Sequence, residues 1–304
     1  MLMTTRVGTL ELRNPILGAS GTFGYGLEFA QLMDLESIGG FVTKGLSMRP
    51  RLGNQPPRIH ETPYGMLNAI GLHNIGAKAF VKEKLPQLRE IDTHVIVNVY
   101  GESPQDFIDV AQYLSEHEGI SALEINVSCP NVKNGLDIGT DPAQAEQLIA
   151  QIREVTYLPL WAKLTPNVTH ITAIAQAAIN GGADALSLIN SVKAMALDWR
   201  RNTPHLSNIF GGLSGPAIKP IALAKVFEVT QKFDIPVVGI GGIKSAEDVA
   251  DFLAVGACAV QVGTHNFADT AATEHIVQAL KNTLLEEKTS VSELKGRFLR
   301  RETR

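Results

Sequence analysis

The chain is 304 residues long, and 27 Lys and Arg against 31 Asp and Glu leave a formal charge of −4. With 44% hydrophobic and 19% charged residues, 27 Gly and 15 Pro, disordered and fibrous classes are excluded and a compact fold with many tight connections is expected. The slightly acidic balance supplies no counterion-release term for nucleic acid, so small-molecule chemistry is the expectation.

The opening Met1-Leu2-Met3-Thr4-Thr5-Arg6 lacks the apolar run of a signal peptide, and no 18-residue apolar stretch follows, so the expected address is the cytoplasm, with no membrane partner. Residues 3–14 read as a small β-hairpin. Eight short apolar runs then alternate with helical spacing. They end near Ile16-Leu17-Gly18, Gly40-Phe41-Val42-Thr43-Lys44, Val95-Ile96-Val97-Asn98, Leu123-Glu124-Ile125-Asn126, Leu160-Trp161-Ala162-Lys163, Leu186-Ser187-Leu188-Ile189-Asn190, Val237-Val238-Gly239-Ile240 and Val260-Gln261-Val262-Gly263. Helices are predicted at about 26–34, 75–89, 103–117, 141–156, 169–181, 219–233, 245–256 and 266–286. Ser103-Pro104, Asp141-Pro142 and Ser245 each place a capping oxygen before a first helical turn.

Nearly continuous apolar runs such as Val95–Val99 suit parallel strands buried on both faces. Eight βα units predict a closed (β/α)8 TIM barrel, read as a single domain over 1–304 with an N-terminal hairpin. A doubly wound open sheet fits less well, because Gly21–Gly26 reads Gly-Thr-Phe-Gly-Tyr-Gly rather than a dinucleotide-binding turn. Two long excursions, 45–74 and 191–218, are expected to cover the mouth formed by the C-terminal strand ends.

Side chains at those ends converge, and here they are polar: Lys44, Asn98, Asn126, Lys163 and Asn190. Three amides and two ammonium groups on one rim suit an anionic ligand with many hydrogen-bonding groups. Gly241-Gly242 after the seventh run and Gly263-Thr264 after the eighth suit a phosphate, since glycine lets backbone N–H groups approach its oxygens. Of the two cysteines, Cys258 sits in the apolar run Ala257–Val260 and reads as core. Cys129, in the loop Asn126-Val127-Ser128-Cys129-Pro130-Asn131, reads as chemical, either nucleophile or general base. The eight histidines show no zinc-type spacing, and no catalytic metal is expected.

These residues resemble the dihydroorotate dehydrogenase family over nearly the whole chain. The matching stretches are Ala19–Gly24, Met66–Leu72, Asn126–Lys133, Lys163-Leu164-Thr165-Pro166-Asn167, Gly211–Pro220 and Gly239–Ile243. A cysteine at the base position is similar to the soluble class. Gly211–Pro220, Lys133-Asn134-Gly135 and Gly139-Thr140-Asp141-Pro142 are similar to its NAD-linked branch.

The resemblance implies oxidation of dihydroorotate to orotate in pyrimidine biosynthesis, with Cys129 taking the C5 proton while hydride passes to FMN. It places FMN on Ser20, Lys44, Gly45, Asn98, Asn126, Lys163, Ile189, Gly215, Gly241, Gly242, Gly263 and Thr264. It places the substrate on Lys44, Asn68, Ala69, Ile70, Gly71, Leu72, Asn126, Asn131, Asn190 and Ser191. It further implies a partner subunit with FAD and a [2Fe-2S] cluster, and a homodimer of this chain within a heterotetramer. Two cysteines are too few for a cluster on this chain. One departure is Gly45, where this branch often has Ser or Thr: a backbone contact there loses nothing, whereas a hydroxyl contact would leave FMN binding slightly weaker.

Three other readings compete. A fumarate-linked soluble dehydrogenase would share the barrel and the cysteine. A dihydropyrimidine dehydrogenase-like flavoenzyme would commonly carry cysteine clusters, which are missing here. A non-redox barrel lyase or isomerase would use only the phosphate loops.

Overall fold

The apolar runs become strands in the computed structural model, which describes residues 2–128 and 138–302. In chain order the strands are β1 (Thr5–Val7), β2 (Leu10–Leu12), β3 (Ile16–Gly18), β4 (Gly40–Val42), β5 (Ile59–Thr62), β6 (Gly65–Asn68), β7 (Val95–Val99) and β8 (Ala122–Asn126). They continue as β9 (Leu160–Leu164), β10 (Ala185–Leu188), β11 (Val192–Ala194), β12 (Leu197–Asp198), β13 (Thr203–Pro204), β14 (Gly211–Ser214), β15 (Val237–Ile240) and β16 (Ala259–Val262). Strands β3, β4, β7, β8, β9, β10, β15 and β16 pair in that cyclic order, every pair parallel, and close a barrel with helices around it.

Period-2 alternation along these strands sorts their side chains into an outer and an inner set. On β9, Leu160, Ala162 and Leu164 face outward into the large core shared with the helices, while Trp161 belongs to the core inside the barrel. The inner core of Leu17, Val42, Ile96, Ala122, Trp161, Val238 and Ala259 fills the N-terminal half. The hairpin β1–β2 plugs that end with Val7 and Leu12, and Thr5 Oγ1 donates to the Cys258 carbonyl at 2.8 Å. Cys258 is buried in this apolar plug, as its run predicted. The bottom of the barrel is therefore solid, and polar inward positions are confined to the opposite end.

The predicted caps form. Ser103 and Asp106 make a reciprocal capping box on helix Pro104–Ser115, Asp141 accepts from the Ala143 and Gln144 amides, and Ser245 accepts from the Asp248 amide.

Three helix predictions need correction. Residues 26–34 form successive turns, with Phe29 accepting from both Leu32 and Met33. Three glycines at positive φ, Gly21, Gly24 and Gly26, bend the chain so that Phe29 stacks on Phe23 at 4.2 Å between ring centroids, and this packing outweighs the helical spacing. The helix predicted at 75–89 starts at Ala77 and widens to a π-turn over Phe80–Lys84 before Leu85–Leu88, where Pro86 has no N–H to continue the ladder. The last predicted helix breaks into His265–Ala268 and Ala272–Glu286.

The two excursions pair with each other. Strands β5 and β6 from the first and β11 and β14 from the second form one antiparallel sheet in the order β11-β14-β6-β5. Asn68 Nδ2 donates to the Gly212 carbonyl at 3.2 Å, tying two segments 144 residues apart. This sheet forms one wall of the cavity above the C-terminal strand ends.

Candidate active site

One step above the apolar floor, the inward positions turn polar. Residues two along from Ile96, Ala122, Trp161 and Ala259 are Asn98, Glu124, Lys163 and Gln261, and Ser187 of β10 lies in register with Lys163. All five are buried, Glu124 completely and Lys163 to 5% exposure. A charge buried this far must be paired, and it is: Lys163 Nζ lies 3.2 Å from Glu124 Oε2, which also accepts from Asn98 Nδ2 at 2.7 Å. Glu124 Oε1 accepts from Ser187 Oγ at 2.8 Å and Gln261 Nε2 at 2.7 Å. Four donors on one carboxylate satisfy both its oxygens.

Above this layer opens a cavity of about 1170 Å³. Lys163 and Asn98 reach it from below, and Asn126, at the end of β8 beside Lys163, joins them. Asn190 Nδ2 donates to Asn126 Oδ1 at 3.3 Å, linking the ends of β8 and β10 across the intervening β9. Ser128 also lines the cavity and donates to the Lys163 carbonyl at 2.7 Å. Lys44 is half-buried at the rim. Burial, aided by the Arg58 charge and opposed by Glu28, holds its ammonium below the usual lysine range. An anion bound there would relieve that penalty.

At the far side, Gly241 (φ 131°) and Gly242 (φ 73°) make a turn that no other residue fits well. A Cβ on Gly242 would stand 2.7 Å from Lys219 Cβ and 2.8 Å from the Lys219 amide nitrogen. The turn runs into the Ser245-capped helix Ala246–Ala254, whose first turn is anchored by Asp248. Burial pushes the Asp248 carboxyl up, but its ion pair with Lys219 and the Lys244 N–H outweigh this and hold it below the usual carboxylate range. Lys219 also binds Asp251 at 2.7 Å, so its charge is committed to these two acids. Backbone N–H groups and a helix N-terminus thus remain for an anion, with Lys244 on the cavity wall.

Every sequence-predicted site residue among the described residues lines this one cavity. The twelve FMN positions do so, and so do Asn68, Ala69, Ile70, Gly71, Leu72, Asn190 and Ser191. Cys129 and Asn131 lie outside the described residues. Sequence reasoning missed Glu124, Ser187 and Gln261. It also missed Asn167, which donates to the Ser191 carbonyl at 3.2 Å and accepts from the Lys193 amide at 2.8 Å. The inner-layer signal was present, since Glu124 precedes Asn126 by two residues and so shares its face.

The dihydroorotate dehydrogenase family pattern matches residues 1–284. The chain belongs to the dihydroorotate dehydrogenase family. It is 52% identical over 296 residues, 97% of each chain, to the protein named dihydroorotate dehydrogenase B (NAD(+)), catalytic subunit, of Pelobacter propionicus. Proteins of the same name from Geotalea uraniireducens (51% over 300 residues, 98% of each chain) and Thermodesulfovibrio yellowstonii (48% over 299 residues, 98% of this chain and 99% of that one) are similar along the same length.

Members of the dihydroorotate dehydrogenase family depend on FMN, and the cavity has the donor set that FMN demands. The Gly241-Gly242 cradle, which a Cβ would fill, suits the phosphate. A buried ammonium, Lys163, suits a ring edge that gains negative charge on reduction. Asn98 Oδ1, buried and without a hydrogen-bond partner, suits a ring N–H. Gly242→Ala is expected to weaken FMN binding by about 1–3 kcal/mol through strain at positive φ and displacement of Lys219, while riboflavin, which has no phosphate, loses less. Equal losses for FMN and riboflavin in apoprotein titrations would remove the phosphate from this turn.

Proposed function

We propose that this chain oxidises dihydroorotate to orotate in pyrimidine biosynthesis, using FMN held in the barrel cavity and passing electrons to NAD+ through a separate subunit. The observation that carries this reading is the cavity itself. A buried ammonium, amides from three strand ends and a glycine cradle face one space in a chain 52% identical to a dihydroorotate dehydrogenase B catalytic subunit.

In this reading Ser20, Lys44, Gly45, Asn98, Asn126, Lys163, Ile189, Gly215, Gly241, Gly242, Gly263 and Thr264 hold FMN. Bound FMN supplies the two-electron acceptor for the hydride equivalent leaving C6 of the substrate. Lys44, the stretch Asn68–Leu72, Asn126, Asn131, Asn190 and Ser191 hold dihydroorotate, whose alternating ring N–H and C=O groups match amides that both donate and accept. Cys129 receives the C5 proton on Sγ as the ring double bond forms. It follows Ser128, which lines the cavity, by one residue. The sheet of paired excursions shields this chemistry from water.

The same reading makes 1–304 one functional domain in the cytoplasm. FAD and a [2Fe-2S] cluster belong to the partner subunit, and this chain forms a homodimer within a heterotetramer. Two cysteines on this chain, one of them buried core, support a cluster carried elsewhere.

The test is anaerobic mixing of the purified yellow protein with dihydroorotate, followed by fumarate or NAD+ with and without the partner. Bleaching by dihydroorotate but not by dihydrouracil is expected, with reoxidation by NAD+ only when the partner is present. Colourless protein, or flavin that stays oxidised, overturns the reading. Rapid reoxidation of the lone chain by fumarate overturns the NAD+ route.

Lys44 adds a pH dependence. Its protonated form attracts the substrate carboxylate, and in the free protein its pKa is lowered, so orotate affinity should be full at neutral pH. Affinity should then fall as pH rises through a value below the usual lysine range of about 10.4. Orotate titrations across alkaline pH should show this fall in the wild type and lose it in Lys44→Met. A fall that persists in Lys44→Met assigns it to another group.

A further inference from the structure

Glu124 is not needed to line the cavity, yet it is the most heavily bonded side chain beneath it. Asn98 gives its Nδ2 to Glu124, which leaves Oδ1 on the other side of the amide, buried and without a partner. The two ends of an Asn amide are alike in shape, so only the hydrogen-bond partner decides which faces where. Gly45 contributes to the same point. A Cβ there would stand 2.7 Å from Asn98 Oδ1, so a side chain carrying a hydroxyl would crowd or occupy the acceptor, and glycine leaves it open. Lys163 shares the Glu124 oxygen that Asn98 uses, which brings the ammonium and the amide together. From behind, Ser187 and Gln261 fix the other carboxylate oxygen.

We propose that Glu124 is the positioning residue of this site: it holds the Asn98 amide with its oxygen free on the Gly45 side and tethers the Lys163 ammonium beside it. The cavity thereby presents a hydrogen-bond acceptor next to a cation. That arrangement reads a ring imide, an N–H adjacent to a C=O, and rejects a ring whose N–H is blocked. The inference rests on the reading that the cavity takes FMN, whose isoalloxazine carries such an edge.

The test titrates apoprotein with FMN and with N3-methyl-FMN, in which the imide N–H is replaced, following flavin fluorescence. Wild type is expected to prefer FMN by about tenfold or more, the cost of leaving a buried acceptor unpaired. Glu124→Gln keeps the shape, but its carboxamide also donates, which lets the Asn98 amide turn over. Its preference should fall below about threefold while the apoprotein still melts cooperatively near the wild-type temperature. If the unpaired Lys163 charge prevents that variant from folding, the double variant Glu124→Gln/Lys163→Met removes both charges and must show the same loss of preference. A folded variant of either kind that keeps a preference of about tenfold overturns the positioning role. Wild-type apoprotein that binds neither flavin overturns the FMN reading and this inference with it.

Discussion

Cys129→Ala is expected to slow dihydroorotate oxidation by about 10²- to 10⁴-fold, the range that a positioned general base contributes. That corresponds to about 3–5 kcal/mol of barrier. FMN content should stay near that of the wild type, since none of the positions proposed to hold FMN falls on residue 129, and strand-end residues such as Asn98 and Lys163 are untouched. The pH profile separates this from a general loss of structure. A thiol must ionise before it can accept the C5 proton, so the wild-type rate should rise with pH and level off only above the ordinary thiol pKa of about 8.5. The Ala variant should lose that rise. Stopped-flow bleaching of the flavin by dihydroorotate, measured across pH, checks both points at once. Near-normal bleaching in Cys129→Ala would assign the proton to another base.

Cys129 itself lies outside the described residues, and its loop reading rests on the sequence alone: a lone thiol three residues past a strand end, before proline, has no place in a core pattern. The barrel was readable for a related reason: strands buried on both faces leave continuous apolar runs, and eight of them fell where the closed sheet forms. The rim residues Lys44, Asn98, Asn126, Lys163 and Asn190 ended those runs and now meet in one cavity. What was hard to read depended on partners distant in the chain. Phe29, Leu32 and Met33 have the i, i+3, i+4 spacing that suits a helix, and the stack of Phe29 on Phe23, with Gly21, Gly24 and Gly26 at positive φ, selects turns instead. The pairing of Leu67 with Leu213, which joins the two excursions into one sheet, leaves no local mark. Glu124 was hidden differently. It stands inside the run Leu123-Glu124-Ile125 and drew no role from the sequence, although it is the inward neighbour of Asn126. A charge inside a strand flanked by Leu and Ile requires a counter-charge, and Lys163 on the adjacent strand supplies it.

That pairing makes Lys163 the position where stability and chemistry are most tightly joined. Lys163→Met keeps most of the apolar stem and removes the charge, leaving the Glu124 carboxylate fully buried with three of its four donors. Breaking a buried ion pair from one side costs about 3–5 kcal/mol, because the remaining charge loses its counter-charge and cannot reach water. The apoprotein should therefore unfold at clearly lower urea concentration with an unchanged slope, which marks a change in stability rather than in compactness. Adding Glu124→Gln to Lys163→Met should restore most of that loss, since the pair is then replaced by two neutral groups of similar volume. FMN chemistry should not recover with it. The cation proposed to balance negative charge on the reduced ring is missing in both variants, so bleaching by dihydroorotate should stay slow in the single and the double alike. Urea melts of the apoproteins set against bleaching rates of the FMN-loaded forms separate the two roles. Recovery of both together in the double variant would mean that Lys163 acts only by holding the fold. Recovery of stability alone places its charge in the reaction.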